Sequence, residues 1–198
     1  MEKKIAMRPD SETYLNLGKY EAPVWARCGD GWSKLDESPN AETEDTHYIN
    51  AASATTTVVG YKPQYAFEVD LMYTDPTIKA IYDVANLRKI GDEAVMDFLH
   101  VDKFTPGTSE GSFFARREQL AVAVNTKGGT KKMTLSGNLN AQGDPVYGEF
   151  TPVTKVEEGQ SAGTFTAATE TAEATTTGTE TQTEGEETTP AGEDETTT

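Results

Sequence analysis

Large apolar or aromatic side chains recur at every second position in Tyr65, Phe67, Val69, Leu71 and Tyr73, with Gln64, Ala66, Glu68, Asp70 and Met72 between them. A period of two puts alternate residues on opposite faces of a strand. The first set predicts a core face and the second a polar face with a negative bias. Such a strand belongs in an antiparallel sheet with one dry side and one wet side. Further strands are predicted at Tyr14–Leu17, Val24–Arg27, Thr55–Gly60, Ala94–Phe104, Ser112–Thr126 and Val146–Thr151, and at Thr130–Asn140, where Thr134, Ser136 and Asn138 alternate with Met133, Leu135, Gly137 and Leu139. Gly29-Asp30-Gly31, Gly128-Gly129 and Gly143-Asp144-Pro145 supply turns between them.

One helix interrupts this pattern. Asp75 is a good N-cap and Pro76 fits the first helical position, where its missing N–H costs nothing. Ile78, Ile81, Tyr82 and Ala85 form a narrow apolar stripe, Arg88 and Lys89 oppose the C-terminal dipole, and Gly91 is the expected terminator, so the helix should run over Thr77–Lys89. The fold class that follows is mainly β: an antiparallel β-sandwich or half-barrel of about seven to eight strands with one flanking α-helix.

Charge divides the chain in two. The formal net charge is −16, from 33 acidic and 17 basic residues. Eleven of the acids lie in 157–198, which has no Lys or Arg, so the body carries only −5. Phe165 is the only aromatic residue of that Thr- and Glu-rich extension. It lacks the apolar surface to offset a backbone ordering cost of about 1–2 kcal/mol per residue, and it is expected to be disordered. The domain reading is therefore 1–156 as a folded body and 157–198 as an acidic extension. Within the body, Ser33–Asn50 is polar and acidic (Asp36, Glu37, Glu42, Glu44 and Asp45) and is expected to be a long loop, while Lys127, Lys131 and Lys132 form a basic hairpin tip.

Catalytic chemistry finds no constellation. His100 and Asp102 share a strand face but lack a third ligand, and His47 sits in the acidic loop. The Lys127–Lys132 stretch lacks phosphate-loop spacing, and Cys28 has no cysteine partner. Glu68 and Asp70 read more simply as a solvated acidic row than as an acid–base pair. The expectation is a protein that is not an enzyme, with no cofactor and no metal. The N-terminus lacks the apolar core of a signal peptide and no apolar run has the length of a membrane span, which implies synthesis and retention in a reducing cytoplasm without membrane contact.

The order of elements carries a resemblance. Acidic residues lead into Tyr48-Ile49, a small-residue and Thr run (Ala51–Thr57), Val58-Val59-Gly60-Tyr61, Pro63 and the alternating strand. The helix follows, and the body ends on Gly143-Asp144-Pro145-Val146-Tyr147-Gly148-Glu149-Phe150. This order resembles the major tail tube proteins of long-tailed bacteriophages and related prophages of Gram-positive hosts, over most of residues 1–156. The resemblance implies a structural virion protein, assembled in the host cytoplasm as stacked hexameric rings that form a channel for DNA ejection. Its partners would be copies of itself, other tail proteins (tape measure, tail terminator and baseplate hub) and double-stranded DNA in non-specific passage. It makes Gln64, Glu68, Asp70, Thr134, Ser136 and Asn138 the expected channel-facing residues. Asp36, Glu37, Glu42, Glu44 and Asp45 would meet Lys127, Lys131 and Lys132 between subunits or rings. The alternative from another class is a surface-binding β-sandwich on a Thr-rich stalk.

Overall fold

The alternating segment forms the centre of the core. In the computed structural model, which describes residues 4–50, 52–153, 155–157 and 159–168, Tyr65, Phe67 and Val69 of strand Gln64–Asp70 are buried together against Ile78, Ile81 and Val84 of the helix Pro76–Asn86. Each such side chain contributes about 1.5–3 kcal/mol by leaving water. The strand stops at Asp70, short of the predicted end. Leu71 is half-buried and Tyr73 is 85% exposed, because the chain turns there to present Asp75 as the helix cap. Asp75 Oδ1 accepts from the backbone N–H groups of Thr77 (2.8 Å) and Ile78 (3.1 Å). At the other end the left-handed residue that follows the C-cap Leu87 is Arg88 (φ 52°), ahead of Gly91 (φ 59°), and the N–H of Lys89 closes on the Val84 carbonyl at 3.0 Å.

Eleven strands are present among the described residues, more than the seven or eight expected. They are β1 (Ser11–Asn16), β2 (Trp25–Arg27), β3 (Trp32–Ser38), β4 (Ala41–Thr46), β5 (Thr55–Tyr61), β6 (Gln64–Asp70), β7 (Val95–Pro106), β8 (Phe113–Gly128), β9 (Thr134–Ala141), β10 (Val146–Pro152) and β11 (Gly163–Ala167), with one α-helix, α1 (Pro76–Asn86). Nine form one antiparallel sheet in the order β2-β1-β7-β8-β9-β6-β3, with β10 on β8 and β11 on β10. The sheet curls into a half-barrel around the Tyr65–Phe67–Val69 cluster. The long strand β8 is shared, pairing with β7 through Ala121 and with β9 from Leu120 onward.

Two expectations are corrected by this topology. The acidic stretch Ser33–Asn50 is not a loop. Its first part is β3, whose Leu35 is buried while Lys34, Asp36 and Ser38 face outward, and its second part is β4, paired with β5 as a separate hairpin whose strands are almost wholly exposed. Nor does the folded body stop at 156. β11 pairs with β10, Ala162 is buried beside Trp25 and Phe150, and the Ala162 N–H reaches the Trp25 carbonyl at 2.7 Å. Gly163 is required here, since an added Cβ would lie 2.3 Å from Phe150 Cζ. The rest of the predicted disordered extension, 169–198, lies outside the described residues.

Candidate functional site

Register decides what the outer face of the half-barrel carries. Across β6 and β9, Asp70 lies opposite Thr134, Glu68 opposite Ser136, Ala66 opposite Asn138 and Gln64 opposite Asn140. Directly opposed residues in an antiparallel pair share a face. The six residues expected to face a channel, Gln64, Glu68, Asp70, Thr134, Ser136 and Asn138, are therefore brought together on one face, away from the core. β3 extends it, since Lys34 opposes Glu68, Asp36 opposes Ala66 and Ser38 opposes Gln64. β8 completes it on the other side with Ala123 opposite Asn138 and Thr126 opposite Ser136. Gln64 Nε2 donates to Asn140 Oδ1 at 2.9 Å, a tie between neutral amides on the same face.

The charges on this face are mixed. Lys132 Nζ lies 2.7 Å from Asp70 Oδ2, and Lys34 Nζ lies 3.7 Å from Asp36. Such exposed pairs contribute little stability, about 0–1 kcal/mol each, but they cancel local charge. Glu68 makes no ion pair among the described residues. Small side chains (Ala66, Ala123 and Ser136) make up much of the remainder.

The four strands β3-β6-β9-β8 end in two edges that lack a strand partner among the described residues. β3 pairs only with β6, and β7 leaves β8 at Ala121, so residues 122–128 of β8 have no strand on that side among the described residues. Unpaired edges template association with another chain unless something covers them.

The basic tip does not behave as one unit. Lys127 is held within its own chain, its Nζ 3.2 Å from the Tyr82 hydroxyl, 3.1 Å from Asn86 Oδ1 and 4.4 Å from the Tyr82 ring centroid. Lys132 is paired with Asp70, and Lys131 is exposed. Among the acids, Asp36 lies on the polar sheet face, whereas Glu37 turns to the inner side and pairs with Arg116 at 2.7 Å. Glu42 pairs with Lys62 at the base of the β4–β5 hairpin, Asp45 accepts from Thr56 Oγ1 at 2.6 Å, and Glu44 is exposed.

Sequence reasoning missed a polar network inside the half-barrel. The Tyr65 hydroxyl donates to Glu118 and accepts from Arg116 Nη2 at 2.8 Å. His100 Nδ1 lies 3.2 Å from Thr13 Oγ1, and its Nε2 lies 3.5 Å from Glu118. Burial first, then the Arg116 and Arg8 charges, push the His100 pKa down to about 3, so the ring is neutral. Burial raises Glu118, against the pull of its Tyr65 and Arg116 partners. Arg116 is driven up despite its burial by the hydrogen bond to Glu37 and the surrounding negative charge. Six residues from β1, β3, β6, β7 and β8 (two from β8) thus meet. Asp102 is not part of a ligand set with His100, since it accepts from Ser11 Oγ at 3.3 Å. No group of three or more potential metal ligands occurs among the described residues, and no helix among them is long and apolar enough to cross a membrane.

No protein-family model matches the chain, and no curated protein matches it. Among solved structures it is similar to a chain in the cryo-EM structure of the anti-feeding prophage (AFP) baseplate, 6-fold symmetrised, with a TM-score of 0.44 and 9% identity, over 74% of this chain and 97% of that one.

Proposed function

We propose that the chain is a structural subunit of a phage tail tube, whose copies join edge to edge into a closed ring with the β3-β6-β9-β8 face lining a channel. The observation that carries this reading is the pair of edges without a strand partner on either side of one polar, uncovered face. The strands alternate in direction from β3 to β8, so β8 of one copy runs antiparallel to β3 of the next when the copies are related by rotation. Four strands per copy keep the alternation unbroken around a ring. A head-to-tail contact of this kind closes into a ring when the rotation closes, and closure removes the exposed edges. The number six comes from the resemblance in the order of elements.

The chemistry of the face suits a conduit for DNA. Double-stranded DNA carries one phosphate charge per about 1.7 Å of axis, and lysine or arginine contacts grip it in proportion to their number. A face of small, amide and hydroxyl side chains, whose two lysines are neutralised by Asp36 and Asp70, offers a duplex nothing to hold. The exposed β4–β5 hairpin adds a second contact element. A two-stranded hairpin is marginal alone in water, and burial against a neighbouring subunit or ring stabilises it. In this reading the chain resides in the virion tail and contacts tape measure, terminator and baseplate proteins at or within the tube. Negative-stain electron microscopy of the concentrated protein tests it: sixfold rings or tubes with an open centre are expected, and dispersed monomers at every concentration refute it.

A further inference from the structure

We propose that Arg8 guards the free edge of β3 in the unassembled chain and is displaced when residues 122–128 of a second copy pair there. The inference rests on the edge-to-edge reading above. Arg8 Nη2 donates to the backbone carbonyl of Leu35, in the middle of β3, at 3.0 Å. The side chain comes from the opposite wall of a groove of about 480 Å³ that separates β1 (Ser11–Thr13) from β3 (Trp32–Asp36). A strand added to β3 has to enter that groove, where the Arg8 guanidinium now lies.

The anchoring is local and reversible. Arg8 opens a 3-10 turn, Arg8–Asp10, that is fixed from within, the Met7 N–H donating to Asp10 Oδ2 at 2.7 Å. Pro9 stiffens the backbone at the next position. Arg8 itself is exposed, and the Leu35 carbonyl is the only hydrogen-bond partner of its side chain among the described residues. Natural sheets blunt their edges with charged side chains or covering loops, and a single guanidinium bond does so without a permanent cover. A backbone ladder along β3 supplies several bonds in place of the one it removes.

A synthetic peptide of residues 121–128 is the direct probe, titrated into the full chain and into Arg8→Ala. Removing the guard should tighten peptide binding about tenfold, the change expected from one hydrogen bond to a charged group. Equal binding, weaker binding or no binding by the variant overturns the guard. Arg8 is exposed, so the substitution is expected to leave the fold intact, and circular dichroism checks this; Arg8→Met, which keeps an apolar stem and no donor, repeats the test should Arg8→Ala unfold. Ring formation is read separately by microscopy. Rings from the parent chain with no gain in peptide binding defeat the guard alone, and tighter peptide binding without rings supports the guard and defeats only the ring.

Discussion

Tyr65 and His100 stack face to face across the interior of the half-barrel, their ring centroids 4.6 Å apart and their planes 6° from parallel. Tyr65 belongs to β6 and His100 to β7, strands that are not neighbours in the sheet. The contact therefore ties the limb that carries the polar face to the limb built on β1 and β7, and it sits inside a network of charged groups that titrate.

His100 sets a pH dependence of known sign. Its folded pKa is about 3 against an ordinary 6.5, so between those values the unfolded chain binds a proton that the folded chain does not. Its contribution is complete above pH 6.5 and is lost as pH falls toward 3, at about 1.4 kcal/mol per pH unit within the window. Glu118 opposes it. Its raised pKa gives stability that is present below 4.5 and lost as pH rises above that value. Denaturant titrations at pH 4–7 should show His100→Phe losing the acid-side slope while keeping the aromatic contact with Tyr65. Parallel curves for parent and variant would contradict the assignment.

β11 carries the folded body past residue 156, through Ala167. A chain ending at 168 should melt with the full-length protein. A chain ending at 156 loses β11 and the cover over Trp25, and its melting temperature should fall by several degrees. Gly163→Ala should destabilise by about 1–3 kcal/mol, because the new methyl group collides with Phe150 and the Thr151 carbonyl. An unchanged melting temperature for the chain ending at 156 would restore the boundary suggested by composition.

That boundary shows where the sequence was legible. Tyr65, Phe67 and Val69 declare their strand because period and burial coincide, and Asp75-Pro76 declares the helix start because its cap is local. β3 and β4 are hidden: only Leu35 is buried in one and nothing in the other, so their strand character comes from distant partners. Phe165 was the available signal for β11, a lone aromatic side chain in a polar stretch, opposite Phe150 across the ladder. The network of Glu37, Tyr65, His100, Arg116 and Glu118 gives no local pattern, since Tyr65 and Glu118 meet across 53 residues of chain. The polar face was readable because its residues alternate with core residues, but its free edges belong to the topology alone.

Glu149 should lock the loop before β8. Its carboxylate accepts from the Thr108 N–H and hydroxyl (2.6 Å each), the Ser109 N–H and the Ser112 hydroxyl (2.6 Å), and the hydroxyls of Ser112 and Thr108 lead in holding its pKa down to about 2. Stability from this group is present above pH 4.5 and is lost as pH falls toward 2. In Glu149→Gln, amide exchange at Thr108 and Ser109 should quicken at neutral pH with little change elsewhere. Unaltered exchange there would mean that the loop is held by other contacts.

Glu68 offers the cleanest test of the channel face, because it is exposed and outside the ion pairs that engage Asp70 and Asp36. Glu68→Lys should leave folding and assembly unchanged, since an exposed substitution costs little. Repeated around every ring, the new charge should slow DNA passage through particles that carry it, most at low salt where screening is weakest. Normal ejection at low salt would remove Glu68 from the channel wall.

The central claim, that β3 and the 122–128 edge of β8 join neighbouring copies, is tested most directly by disulfide trapping. In a Cys28→Ser background, cysteines are placed at Asp36 in β3 and, one at a time, at positions 122–126 in β8. Mild oxidation of the assembled protein should produce, for at least one pair, a ladder of covalent oligomers that ends at six on a denaturing gel. The single-cysteine chains should yield no ladder. Double-cysteine chains that stay monomeric throughout the scan, or stop at dimers, would contradict the account.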